Sequence, residues 1–211
     1  MKWPDRLLAS ALLLVAQNLA ANNAYQRVSW DFDLPERISP ASFSVCSQHN
    51  CQTRTRAALE PEQWEQIVAL FAPPADSAAA EREQIARAIG RMEQLVADFA
   101  NTHHDKAGDF NGFTQPGSQL DCVDESINTT TYLTLFEQKG LLRWHRVLDR
   151  TVRHPWILDF HWTAVIEDRT TGVRYAVDSW YLDNGQPPYI QQLEDWQVKR
   201  RFPKQTNAPD T

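Results

Sequence analysis

Cys122 sits in Gln119-Leu120-Asp121-Cys122-Val123-Asp124-Glu125-Ser126, a thiol among carboxylates at a point where a helix is due to begin. His161 follows 39 positions later and Asp178 a further 17. A cysteine, a histidine and an aspartate in that order can perform acyl chemistry. The sulfur attacks a carbonyl, the imidazole moves the proton, and the carboxylate fixes the ring. Acidic neighbours alone would raise the thiol pKa and blunt its attack. A helix N-terminus works the other way, offering a positive dipole end and free backbone N–H groups, which can also line an oxyanion hole. Gln119, three residues before the thiol, is a candidate side-chain donor to the same oxyanion. The plainer alternatives are a buried structural thiol, a core histidine, and an aspartate that caps the turn into Asp183-Asn184-Gly185.

Two elements must position these groups. Asp121 is a good N-cap, so a helix is expected over 121–139, with Ile127, Leu133 and Phe136 facing a core and Gly140 stopping it. Thr129, Thr130 and Thr131 argue against helix there. The second element is a hairpin. A two- or four-residue loop at Arg169-Thr170-Thr171-Gly172 sets Glu167 opposite Arg174, a favourable cross-strand ion pair, and His161 opposite Trp180. Asp178 then becomes the diagonal neighbour of His161 on the same face, about 6–8 Å away between backbones. The opposite face carries Trp162, Ala164, Ile166, Val173, Tyr175 and Val177. A loop of odd length would flip one strand and separate the pair.

The remaining pattern supplies a scaffold. Pro61 suits a first helical turn, and Trp64, Ile67, Val68 and Phe71 follow at helical spacing until Pro73-Pro74. A longer helix is expected over 77–100, with Ile85, Ile89, Met92, Leu95, Val96 and Phe99 as its apolar stripe. Residues 101–118 read as a polar loop in which His103, His104 and Asp105 form a hydrated turn. Strands are expected over 141–148, 156–168 and 173–181. Together these predict an α+β fold, N-terminal helices packed on a small antiparallel sheet. Trp144, Trp156, Trp162, Trp180 and Tyr181 either line a cleft or fill the core.

The chain has 211 residues, 42% of them hydrophobic, which suits one globular domain over 59–200 with its chemistry in 115–185 and a tail over 201–211. A net charge of -6 argues against nucleic acid as a partner. Residues 1–24 read as an export leader: Lys2 and Arg6, then the apolar run to Leu19, then small residues. An uncleaved N-terminal anchor is the alternative, and no later segment is apolar enough to span a bilayer. Export implies a periplasmic or secreted location and an oxidising compartment. There Cys46 and Cys51 would close a disulfide within an extended arm over 25–58, leaving Cys122 free. The rival, a metal site of Cys46, His49 and Cys51, lacks a fourth ligand.

The stretches Asp121-Cys122-Val123-Asp124, Tyr132 to Leu142, His161 to Asp168 and Tyr175 to Trp180 together resemble the papain-like superfamily in its transglutaminase-like branch. More narrowly they are similar to the bacterial transglutaminase-like cysteine proteinases. The resemblance spans residues 121–180. It implies a papain/transglutaminase-like core with Cys122 as nucleophile, His161 as base and Asp178 as orienter. It also implies a periplasmic, calcium-dependent protease of surface proteins, with Asp121 and Asp124 matching the acidic positions beside the family's cysteine. The chain departs from that pattern at Val123 and Ser179. The chemistry itself needs no cofactor; calcium enters only through the resemblance. Two functions follow as expectations: an exported thiol hydrolase acting on a protein or peptide in the cell envelope, or a catalytically silent envelope protein that keeps the fold for binding.

Overall fold

The computed structural model describes residues 24–108, 119–154 and 160–198. The expected leader, the tail, Trp156 and most of the loop before Gln119 lie outside them. Within them the chain is α+β, with five helices and two small antiparallel sheets. In chain order these are α1 (24–32), β1 (Phe43–Ser47), β2 (Thr53–Ala57), α2 (Pro61–Ala69), α3 (Ala78–Ala100), α4 (Cys122–Gln138), β3 (His145–Arg153), β4 (His161–Asp168), β5 (Arg174–Asp178), β6 (Tyr189–Gln192) and α5 (Leu193–Gln197). The sheets are β1-β2 and β3-β4-β5-β6. No helix among the described residues is long and apolar enough to cross a membrane.

Helix α4 is buried almost throughout, packed between β1 on one side and β3 and β4 on the other. Its threonines, poor helix formers, tolerate this because their hydroxyls bond back one turn. Thr130 donates to Ser126 O at 2.7 Å, Thr131 to Ile127 O at 2.9 Å and Thr134 to Thr130 O at 2.7 Å. Ile127, Tyr132, Leu133, Leu135 and Phe136 supply the apolar share and are all 0–1% exposed. The helix ends as its sequence demands. Gly140 takes a φ of 71°, where a side chain would be strained, and its N–H caps Glu137 O.

The segment read as an extended arm is instead part of the core. Residues 24–32 form a helix, and β1 and β2 form a hairpin whose Phe43, Val45 and Ala57 join the main cluster with α3 and α4. Short apolar runs hid the pairing, because every residue of β1 is buried and no alternation survives. Cys46 and Cys51 are bonded as a disulfide. Asn128 of α4 clamps β1 with both ends of its amide, accepting from Cys46 N at 2.8 Å and donating to Cys46 O at 3.0 Å. Asp105, read as part of a hydrated turn, is buried and accepts from Leu120 N at 2.6 Å.

The β4–β5 register pairs Ala164 with Val177, Val165 with Ala176, Ile166 with Tyr175 and Glu167 with Arg174, as the loop arithmetic requires. The ion pair expected between Glu167 and Arg174 is replaced: Glu167 faces Arg174 across the ladder but takes Arg146 of β3 as its ionic partner. Strand β6 and helix α5 were not anticipated. Tyr189–Gln192 is only four residues long, and Pro187 and Pro188 before it read as loop.

Candidate active site

Cys122 is the first residue of α4, with Asp121 as its N-cap. Asp121 accepts from Asp124 N at 2.8 Å while Asp124 reaches back to Asp121 N at 3.3 Å, a reciprocal capping box. The disulfide loop adds to this cap. Gln48, His49, Asn50 and Cys51 all have φ between 52° and 64°, so their N–H groups turn to one side as a concave anion nest. His49 N and Cys51 N donate to Asp124 at 3.0 and 2.8 Å, and Asn50 N donates to Asp121 at 3.0 Å. All four carboxylate oxygens of the two aspartates therefore accept backbone N–H groups. His49 completes a group whose ligand-type atoms lie within 4.8 Å of one another. That donor set suits calcium poorly. Calcium takes six or more oxygens, whereas here the oxygens already hold donors and the third member is a nitrogen. The pair reads as a helix cap, which is what a carboxylate at an N-terminus does best.

The cysteine sulfur rests against the start of β4. Sγ lies 3.9 Å from Phe160 O, and the Trp162 backbone N–H is directed at it. Both neighbours flank His161. Burial pushes the Cys122 thiol up to about 11, and Asp121 and Asp178 add to the rise, while the Trp162 N–H pulls it down. Burial therefore favours the neutral thiol over the thiolate, and nucleophilic attack by this sulfur would need a base to take its proton.

His161 and Asp178 meet. His161 Nε2 is 2.8 Å from Asp178 Oδ2, and both side chains are almost fully buried. This leaves Nδ1 as the ring nitrogen that Asp178 does not engage. The pairing follows from the hairpin: the ladder ends at Ala164–Val177, so the two residues beyond it share one face without a ladder bond between them. The same oxygen, Oδ2, also accepts from Trp196 Nε1 at 2.7 Å.

Trp196 is the residue that sequence reasoning missed. Its ring is fully buried 5.7 Å from the imidazole, and Trp180 and Tyr181 stand 4.9 and 5.0 Å from it. Arg153, opposite His161 in the β3–β4 ladder, donates to Trp196 O and to the Tyr181 hydroxyl and lies 4.5 Å over the Trp196 ring. The imidazole is boxed in by rings that one guanidinium holds together. A tryptophan indole N–H near the C-terminal end of the described chain was the only available signal, and without β6 to place it, it had no address.

Gln119 has other work than the one expected. Its amide donates to His104 O at 2.9 Å and accepts from Lys106 N at 3.0 Å, pinning the approach to α4. The N–H groups directed at the thiol are backbone ones, those of Cys122 and Trp162. Of the other aromatics, Trp144 bonds Ala75 O at 3.1 Å, away from the thiol, while Trp162 borders it. No protein-family model, curated protein or solved structure matches this chain.

Proposed function

We propose that this chain is an exported thiol hydrolase, most concretely a cysteine peptidase or amidase with a transglutaminase-like core, acting on a protein or peptide of the cell envelope. The observation that carries this reading is the 2.8 Å bond between His161 and Asp178, with the Cys122 sulfur seated between the residues on either side of that histidine. The disulfide between Cys46 and Cys51 supports export.

In the reaction so inferred, the Cys122 sulfur bonds to the substrate carbonyl carbon as His161 Nδ1 takes the thiol proton. The carbonyl π pair moves to oxygen, where backbone N–H groups at the start of α4 stabilise it. Collapse of this intermediate breaks the carbon–nitrogen bond, and His161 returns its proton to the leaving amine. Water then repeats the sequence on the thioester, releasing the acid and regenerating the thiol. Asp178 holds the ring and offsets its transient positive charge, and Trp196 holds Asp178.

Iodoacetamide alkylation of Cys122 in the native protein tests this. Removing the base in His161→Ala is expected to slow it at least about 100-fold at pH 7.5. Equal rates in the two proteins, or a thiol inert until denaturant is added, would sink the proposal. The second outcome would favour a catalytically silent binding protein, a reading that the raised pKa of the half-buried thiol supports on its own.

A further inference from the structure

The β3–β4 register shifts between Leu148 and Thr151. Such a bulge re-aims the side chains it contains, and Arg150 is one of them. Its guanidinium lies 4.0 Å over the Trp162 ring and 4.7 Å over the Phe32 ring of α1. One N–H donates to Ser126 Oγ at 3.2 Å. Ser126 is one helical turn from Cys122 on the same face of α4. Trp162 faces the guanidinium with its ring and the thiol with its backbone N–H. Arg150 and the sulfur therefore share Trp162 as a neighbour, and the two lie close enough to act on each other electrostatically.

Among the described residues no carboxylate lies within ion-pair distance of Arg150, and Ser126 Oγ is its one hydrogen-bond acceptor. Asp31 acts on it from further away. A guanidinium packed over two rings still presents its donors in one plane, a geometry that matches a carboxylate bidentately. Holding a cation half-buried has a cost that Asp31 and Asp121 offset only from a distance, and burial draws its pKa down to about 10. A ligand anion would remove that cost.

We infer that Arg150, clamped by Phe32 and Trp162, forms a subsite beside Cys122 for a carboxylate of the substrate, supplied by an acidic side chain or by a chain terminus. The inference rests on Cys122 being the reactive thiol of the proposed function. It makes an acidic protein with net charge -6 selective for a negatively charged group close to the bond it attacks.

The test compares alkylation of Cys122 by iodoacetate, which carries a carboxylate, and by iodoacetamide, which does not. The ratio of the two rates is expected to fall at least about tenfold in Arg150→Met, which keeps the packed stem, and to recover in part in Arg150→Lys. In the wild type it should also fall in 0.5 M salt, a readout that needs no variant. The chloromethyl ketones of N-acetyl-aspartate and N-acetyl-asparagine, set against iodoacetyl-glycine and iodoacetyl-glycinamide, separate side chain from terminus. An Arg150-dependent preference within the first pair assigns a side chain, and within the second a chain end. A ratio unchanged by both substitution and salt overturns the subsite while leaving the hydrolase reading intact. Inertness to every reagent defeats that reading, and the subsite with it.

Discussion

The sheet carries two buried histidine–carboxylate pairs of nearly equal length. His145 Nδ1 is 2.9 Å from Glu81 and His161 Nε2 is 2.8 Å from Asp178. Their surroundings differ in what meets the other ring nitrogen. His145 has none of its side chain exposed, and Arg82 stands 3.3 Å from its Nε2. Glu81 also takes the backbone N–H groups of Arg143, Trp144 and His145, so the pair ties α3 to the first turn of β3. The imidazole of His161 keeps Nδ1 clear of its carboxylate, and the backbone on either side of it, Phe160 O and Trp162 N–H, meets a half-buried sulfur. A histidine–carboxylate bond therefore locates rigid, buried polar structure. Chemistry is indicated only where the second nitrogen is left for a reactive partner.

Substitution at the two histidines gives the largest expected contrast. His161→Ala should remove thiol reactivity and, because it leaves the buried Asp178 without its imidazole partner, should lower the melting temperature as well. His145→Ala leaves Glu81 buried beside a cavity, a loss of about 3–5 kcal/mol, while the molecules that stay folded should alkylate at the wild-type rate. Parallel thermal melts and alkylation rates check this. A His145 variant that is both folded and unreactive would erase the distinction.

A smaller effect belongs to Trp196. Trp196→Phe keeps most of the ring that packs on His161 but deletes the N–H that Asp178 shares between two donors. Loss of one hydrogen bond to a buried charge is worth about 1.5–3 kcal/mol. Part of that should appear as roughly tenfold slower alkylation, with Trp196→Leu slower still. A phenylalanine variant as reactive as the wild type would reduce Trp196 to packing.

Helix α3 offers the same contrast among carboxylates. It carries Glu81 to a histidine, but twelve residues on it carries Glu93 to a place where Gly185 N and the Ser179 hydroxyl are its donors and Asp105 and Glu125 its acidic neighbours. Glu93 Oε1 finds no hydrogen-bond partner among the described residues. Burial pushes the Glu93 carboxyl up, to about 7, and holds Glu125 well above the usual carboxylate range. A carboxyl with a raised folded pKa stabilises fully below its unfolded value of about 4.5, and that stability is lost as pH rises through 7. Melting temperature should drop by several degrees between pH 5 and pH 8, and Glu93→Gln should flatten that drop. An unchanged slope in the variant would assign it to other groups.

Legibility in the sequence tracks the range of the interaction. The hairpin register and the diagonal placing of Asp178 beside His161 are readable because one short loop sets them. The start of α4 is readable because Asp121 is a local cap. What is not readable comes from distant partners. Val123 and Glu125 give no hint that the loop from Gln48 to Cys51 folds onto the two aspartates, some 70 residues away along the chain. The apolar register of α4 is blurred because it is buried all round. Trp196 and Arg153 reach the site only once β6 and β3 have closed the sheet.

The cap and the cation reading of Asp121 and Asp124 part on the smallest measurement. With their oxygens held by the N–H groups of a disulfide-closed loop, the two carboxylates need no metal to stay in place. A millimolar calcium chelator should leave both the melting temperature and the alkylation rate unchanged within error. Asp121→Ala, by contrast, should cost the ~1 kcal/mol of a lost N-cap, and reduction of the disulfide, which releases the nest and its Asn50 N–H bond to Asp121, should make that cost smaller. A chelator-induced drop of several degrees, reversed by added calcium but not magnesium, would return the aspartates to a metal. The loop N–H groups would then have to be secondary to the ion, a geometry in which Asn50 N and Cys51 N lose their present acceptors.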